Sequence, residues 1–269
     1  MDKSPVLTHG ILNRTNVVDG SDQKIEELRR RGFTLVDSGY TAGQLEELRE
    51  RTEKLYLIQV EEMGGEEMLR RCNDANVVRC PLAYDDLFVD VAANPNLVNV
   101  IRKVLGENFV LMQQNGLLNR PKGEHYQLHW HRDLAYQHWT SSEPLAINAL
   151  LALDDFTVET GCTFVLPGSH QRGEFPSDEY VWNNEYAIEA PAGAYLVLDA
   201  MLYHRAGQNT SLRQRRAINH LIGRPFLAQQ FSIATILGDR YVRDDFLNKY
   251  LGYRWAPQTS VAAWRKQRI

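Results

Sequence analysis

The sequence predicts one domain in which helices come first and an antiparallel β sandwich or barrel follows. Three observations predict this. The first third of the chain is rich in charged helix formers bounded by capping and stop residues. From residue 109 short apolar runs replace them, punctuated by Gly, Pro, Asn and Asp. No repeat, low-complexity tract or linker-like stretch divides the 269 residues, a length that can bury a sizeable core.

The elements follow in order. SDQKIEELRRRG starts on a Ser or Asp cap and stops at Gly32, and FTLVD then alternates as a strand does. TAGQLEELRERTEKLYLIQVEEMGG opens at Thr41, carries Leu45, Leu48, Leu55 and Ile58 at helical spacing, and ends at Gly64 and Gly65. A third helix fits NPNLVNVIRKVLG. The later runs FVLMQQ, HYQLHWH, LAINALLAL, CTFVLP, AYLVLDA and RRAINHLIG read as strands. PGSH suits a turn, because proline presets φ at the second position and glycine accepts a positive φ at the third. The C-terminal stretch RYVRDDFLNKYLGYRWAPQTSVAAWRKQRI is aromatic enough to pack on the helices or on a second subunit.

Composition narrows the function. Hydrophobic residues at 43% and charged residues at 24% are ordinary for a soluble globular chain, and a net charge of −4 gives no general attraction to nucleic acid or an anionic membrane. Cys72, Cys80 and Cys162 form no CxxC pair, which argues against a disulfide framework and for a reducing compartment. MDKSPVLTHG lacks a long apolar run, and nothing approaches the roughly 20 apolar residues of a membrane span. A cytoplasmic protein acting on a small molecule is expected.

The chemistry concentrates in HWHRDL. If QLHWHRD is extended, His129, His131 and Asp133 share one face, and Trp130 and Arg132 the other. Two imidazoles and a carboxylate are costly to bury unless they bind something, and a metal is the usual answer. A third ligand could come from His138, His170, His204 or His220. His204 ends an apolar strand just before a Gly/Asn/Ser turn, where a ligand reaches a cavity mouth. His170 lies in the PGSH turn, His220 reads as a satisfied core histidine, and His138 is too close in sequence to place. Two histidines and one carboxylate leave three adjacent positions open, the arrangement of non-haem Fe(II) oxygenases, whereas zinc sites close or keep a single open position. A 2-oxoacid co-substrate would need an arginine for its distant carboxylate. Arg215 shares a face with Ala217 and Asn219, and Arg216 with Ile218 and His220. Spacing alone does not choose between them.

From about residue 20 to 225 the chain resembles the phytanoyl-CoA dioxygenase family of Fe(II)/2-oxoglutarate-dependent oxygenases. The resemblance runs through EELRRRGFTLVDSGYTAGQLEELRE and RCPLAYDDLFVDVAANPNLVNVIRKVLGENFVL. It is most specific in HRD, ETGCTFVLPGSH and HRAGQNTSLRQRRAI. It implies a mainly β fold with flanking helices: a double-stranded β-helix (jelly roll, cupin-like) core packed against an N-terminal helical layer. The single domain of residues 1–269 would have helical support mainly in 20–108, the core in about 109–225 and an extension in 226–269.

The resemblance also implies Fe(II) on His131, Asp133 and His204. The 2-oxoglutarate carboxylate falls to Arg215, because the family's pattern sets an arginine four residues after the serine of Asn-x-Ser. A hydroxyl two positions after the distal histidine helps in some members, but Ala206 stands here. Gln114 resembles an amide that some relatives aim at the co-substrate and is expected to serve instead. Halogenases of this broad class lack the carboxylate, so Asp133 points to oxygenation: O2 is consumed, succinate and CO2 are released, an unactivated C–H is hydroxylated, and ascorbate helps. Candidate substrate contacts are Tyr136, His138 and Trp139 in the loop after HRD, with His129, Asn148 and, for an anionic group, Arg79. The expected substrate is a small polar metabolite or natural-product intermediate, since a family name does not fix an acyl-CoA preference. The rival readings are a cupin-like binding module with a vestigial site and a zinc hydrolase. The latter would need a general base, and no HExxH occurs.

Overall fold

The structure, a computed structural model, describes residues 6–123, 126–134, 140–266 and 268. The first part is helical, as expected: α1 (Gly20–Arg31), β1 (Phe33–Asp37), α2 (Ala42–Glu62), α3 (Glu66–Arg71), β2 (Val77–Arg79), α4 (Leu87–Ala92) and α5 (Pro95–Leu105). The caps explain the boundaries. Asp19 and Asp22 form a capping box at the start of α1, earlier than the sequence signal placed it, and Gly32 closes it at φ 86°. Thr41 and Gln44 form the same device on α2. Asn94 caps α5, with Pro95 in its first turn.

The β part comprises β3 (Val110–Asn119), β4 (Ala146–Ala152), β5 (Thr163–Val165), β6 (Tyr186–Ile188), β7 (Ala194–Asp199), β8 (His204–Ala206) and β9 (Arg215–Gly223), with α6 (Asp178–Asn184) between β5 and β6. Six strands form one antiparallel sheet in the order β1-β7-β4-β9-β3-β2, and three form a second in the order β6-β5-β8. Neither sheet closes on itself among the described residues. A cluster including Phe33, Leu150, Val165, Ile188, Leu196 and Leu198 joins the two inner faces. A larger cluster packs α1, α2, α4 and α5 on the outer face of the six-stranded sheet through Ile147, Ala149, Tyr195, Val197, Ile218 and Ile222.

With both faces covered, the central strands β4 and β7 are buried at every position, so their sequences read as near-continuous apolar runs. Side-chain alternation then decides function. On β9, Ile218 and Ile222 face the helices, while Arg215, Ala217 and Asn219 face the interior between the sheets. On β4, Asn148 and Leu150 face the interior in the same way.

The extension after β9 carries α7 (Ile233–Leu237), α8 (Asp245–Tyr250) and α9 (Val261–Lys266). It packs back on the helical layer. Tyr250 is fully buried against Phe109 and Phe246, and its hydroxyl donates to the Ala92 carbonyl at 2.9 Å. None of the described helices is long and apolar enough to cross a membrane.

One predicted strand is absent. HYQLHWH is not extended: its described part forms a 3-10 turn at Tyr126–Leu128, then a single antiparallel bridge between His131 and His204. The reason lies in its partners. His131 bonds to His204 of the small sheet, whereas the Asp133 N–H bonds to the Ala200 carbonyl just past the end of β7 in the large sheet. A segment tied to both sheets spans their gap instead of extending either one.

PGSH forms the expected turn. The Ser169 N–H reaches the Leu166 carbonyl at 3.1 Å, and Gly168 has φ 79°. His220 is the satisfied core histidine. Its Nδ1 donates to the Ala149 carbonyl at 3.0 Å, and its Nε2 accepts from the Gln114 amide at 3.0 Å. Burial pushes its pKa down to about 4 from an ordinary 6.5. Below pH 6.5 the unfolded chain binds a proton that the folded one refuses, so stability falls as pH drops from 6.5 towards 4. The full difference is about 3 kcal/mol. Urea unfolding across this range should show a shallower pH dependence in His220→Gln than in the parent protein.

Candidate active site

Two peptide hydrogen bonds fix the site. The His131 N–H donates to the His204 carbonyl at 3.0 Å, and the His204 N–H returns the bond to His131 at 3.1 Å. The imidazoles therefore lie side by side, with ring centroids 4.3 Å apart. Each ring is turned by its own chain. His131 Nδ1 donates to the His129 carbonyl at 2.8 Å, and His204 Nδ1 donates to the Leu202 carbonyl at 2.9 Å. Both tautomers are thereby set, and both Nε2 lone pairs point away from the backbone. Asp133 joins them: its Oδ1 lies 3.8 Å from His204 Nε2, while its Oδ2 accepts from the Asn148 amide at 2.6 Å. One ligand atom from each of the three residues falls within 4.8 Å of the others. Burial and the adjacent His204 hold the His131 pKa below the usual imidazole value, which favours the neutral form that binds a metal.

The motifs around these residues have mechanical roles. Arg132, between the two ligands of HRD, points the other way. Its guanidinium donates to the carbonyls of Ser169, Arg172 and Gly173, and lies 3.8 Å from the centre of the Tyr203 ring. It ties the ligand segment to the PGSH turn. Asn209, fully buried, organises the turn from β8 to β9. Its amide donates to the Asn119 and Arg213 carbonyls, and its oxygen accepts from the Ser211 N–H and hydroxyl. The Glu159 carbonyl accepts from the N–H groups of Thr210 and Ser211, which locks ETGC against this turn. A Cβ on Gly161 would meet the Gly207 carbonyl oxygen, so only glycine fits there.

That turn delivers Arg215, and not Arg216, to the interior. Arg216 lies outside in a bidentate pair with Asp154 at 2.9 and 3.0 Å. Arg215 is 4% exposed, lies 4.4 Å from the centre of the Phe156 ring, and has a buried Nε without a hydrogen-bond partner. No carboxylate pairs with it among the described residues, and burial lowers its pKa to about 10. A buried, unpaired guanidinium is costly unless an anion arrives to meet it. His131, Asp133, His204 and Arg215 line one small cavity together with Asn148, Thr163 and Asn219. Larger clefts elsewhere, one beside α1 and one beside α3, bring no such set of ligands together among the described residues.

The donor set fits a ferrous ion. It offers two imidazoles with Nε2 turned inward and one oxygen of a carboxylate whose other oxygen is already bonded, and it leaves room on one side. The unpaired Arg215 fits the far carboxylate of a keto-diacid in the same way.

The other expected contacts divide. Asn148 reaches the cavity, but it bonds a ligand side chain instead of standing free. Gln114 does not reach it. Its side chain lies on the helix-facing side of β3, where the oxygen accepts from the Leu82 N–H at 3.2 Å and the amide donates to the Phe88 carbonyl at 2.7 Å. The bulge between Leu111 and Gln113 sets the alternation on β3, and it puts Leu117 into the cavity. The His129 side chain is exposed; its carbonyl, not its ring, serves the site. Arg79 pairs with Asp74 away from this cavity. Tyr136, His138 and Trp139 lie outside the described residues.

Thr163, Gln127 and Asn219 were not singled out by their sequence context. Thr163 is the cross-strand partner of Ala206, so it supplies a hydroxyl beside the position where Ala206 has none. Asn219 follows from alternation, four residues after Arg215 on one face. Nothing local marks Thr163 or Gln127, because tertiary pairing brings them in.

A family model for phytanoyl-CoA dioxygenase (PhyH) matches residues 28–217. An uncharacterised protein of Mycobacterium tuberculosis is 33% identical over 230 residues, 82% of each chain. A probable alpha-ketoglutarate-dependent hypophosphite dioxygenase of Stutzerimonas stutzeri is 26% identical over 234 residues, covering 76% of this chain and 77% of that one. Among solved structures, iron-bound HygX from Streptomyces hygroscopicus aligns with a TM-score of 0.60 at 16% identity over 80% of this chain and 93% of that one, which shows a shared fold. The chain belongs to the phytanoyl-CoA dioxygenase (PhyH) family and is a dioxygenase of the non-haem iron, 2-oxoglutarate-dependent type.

Proposed function

We propose that the whole chain is one catalytic domain that hydroxylates an unactivated C–H of a small metabolite or natural-product intermediate, with release of succinate and CO2. In this reading His131, Asp133 and His204 hold Fe(II), and Arg215 holds the distal carboxylate of 2-oxoglutarate. One observation carries it: two imidazoles with free Nε2 atoms and a singly bonded carboxylate converge in a cavity that also contains an unpaired, buried guanidinium.

When bound, iron and 2-oxoglutarate supply the oxidising power that takes O2 to a hydroxylated product. The chain's own residues do the rest. The backbone carbonyls of His129 and Leu202 accept from the two Nδ1–H groups and so aim both imidazoles with Nε2 turned inward. The Asn148 amide occupies one oxygen of Asp133, so the carboxylate offers the other as a single ligand atom. Arg215 lies over Phe156 and orients the co-substrate by a paired charged hydrogen bond. Thr163 takes the place of the missing hydroxyl at Ala206 as a second hold on that carboxylate. Leu150 and Leu198 line the cavity and limit the water in it. The 2-oxoglutarate dependence named for the Stutzerimonas stutzeri relative supports the same co-substrate here.

Succinate yield from 2-oxoglutarate, with Fe(II), air and ascorbate, tests the assignment. His131→Ala and Asp133→Ala should fall to background, whereas Arg215→Ala should retain turnover only at raised 2-oxoglutarate. Near-normal yield in Asp133→Ala contradicts the ligand set. The two arginines should also part in stability. In protein without co-substrate, Arg215→Met relieves a buried unpaired charge and should raise the urea midpoint. Arg216→Met breaks the pair with Asp154 and should lower it.

A further inference from the structure

Once the proposed ligands, Arg215 and Thr163 are set aside, the polar lining that remains among the described residues is amide: Gln127, Asn148 and Asn219, beside Leu117, Leu150 and Leu198. Asn115 is the cross-strand partner of Asn219 and adds a third asparagine to this interior face. The three asparagines are 4–6% exposed, and the Oδ1 of each is buried without a hydrogen-bond partner. Buried acceptors are seldom left open, and two of these, on Asn148 and Asn219, line the cavity itself, with Asn115 beside Asn219 on the same sheet face, so they call for a ligand.

For Asn148 the free end is not a matter of how the amide is placed. A carboxylate only accepts, so the nitrogen must face Asp133 and the oxygen must face away. The keto-diacid cannot satisfy these oxygens, because it too brings only acceptors. Among the described residues, apart from Arg215 and the two proposed ligand imidazoles, no basic side chain lines the cavity to receive a phosphate or a second carboxylate.

We infer that this amide face binds the substrate proper, and that the group it receives is uncharged or cationic and rich in hydrogen-bond donors: a hydroxylated ring or amino alcohol, not an acyl chain. The inference rests on the reading of the site as an Fe(II)/2-oxoglutarate centre. The leucines would lie along the C–H side of such a group while its O–H or N–H donors meet the asparagines. A site built this way rejects analogues that lack the donor far better than an apolar pocket rejects a changed chain length.

The test has two arms. In the first, protein, Fe(II), 2-oxoglutarate and a total small-molecule extract of the producing cells are incubated in air. Mass spectrometry finds any product one oxygen heavier than its parent, and solvent deuterium exchange counts the parent's O–H and N–H hydrogens. Several exchangeable hydrogens are expected, and Asn219→Leu should cut product about ten-fold or more. In the second arm, Asn115→Leu/Asn219→Leu should melt at a higher temperature than the parent protein without ligands, since it removes open acceptors that serve binding and not the fold.

A parent compound that is an acyl chain without exchangeable hydrogens overturns the inference. So does full product yield from Asn219→Leu, or a lower melting temperature of the double variant. If no extract yields product, the melting arm decides. Absence of any succinate from the parent protein would instead sink the oxygenase reading itself, a distinct failure.

Discussion

The reciprocal peptide hydrogen bonds between His131 and His204 are the constraint on which the site depends. They join two segments far apart in sequence and hold two imidazoles side by side, tilted 54° to each other. They do so outside any long strand, at the place where the chain crosses between the sheets. Rigid elements stand behind this short contact. β8 pairs with β5 in the small sheet, and the Asp133 N–H is held by the Ala200 carbonyl at the end of β7 in the large one. The gap between the sheets thus becomes a cavity with a ligand donated from each margin.

The second layer of the design is the use of backbone carbonyls to set imidazole tautomers. His131 and His204 use the same device, each bonding Nδ1 to the carbonyl two residues earlier. Asn148 does the comparable task for Asp133. None of these partners carries a charge, so the three side chains are aimed without a competing ion beside them. Among the described residues Arg215 is the one guanidinium in the cavity, and its lack of a carboxylate partner is why we propose that the anion docks there.

Much of this was legible in the chain itself. Capping residues and glycine stops gave the helices, because those signals are local. The faces of β9 followed from alternation alone, which put Arg215 with Asn219 and Arg216 with His220. The family pattern then favoured Arg215, and the buried turn built by Asn209 shows why that pattern exists. The segment around HRD was misread as a strand because its residues have strand-like alternation, while its true partners lie on two different sheets. Gln114 was assigned by resemblance alone; the bulge after Leu111 shifts the alternation of β3 so that its side chain faces the helices, and bulges leave no reliable local mark. Thr163 was invisible because its importance comes from pairing with Ala206, a long-range fact.

The central claim is that His131, Asp133 and His204 together bind one ferrous ion. Anaerobic calorimetric titration with Fe(II) tests it most directly. The account predicts one ion per chain for the parent protein, and no measurable saturation at the same concentrations for His204→Ala. Undiminished one-to-one binding by His204→Ala would contradict it, because the ion would then reside elsewhere.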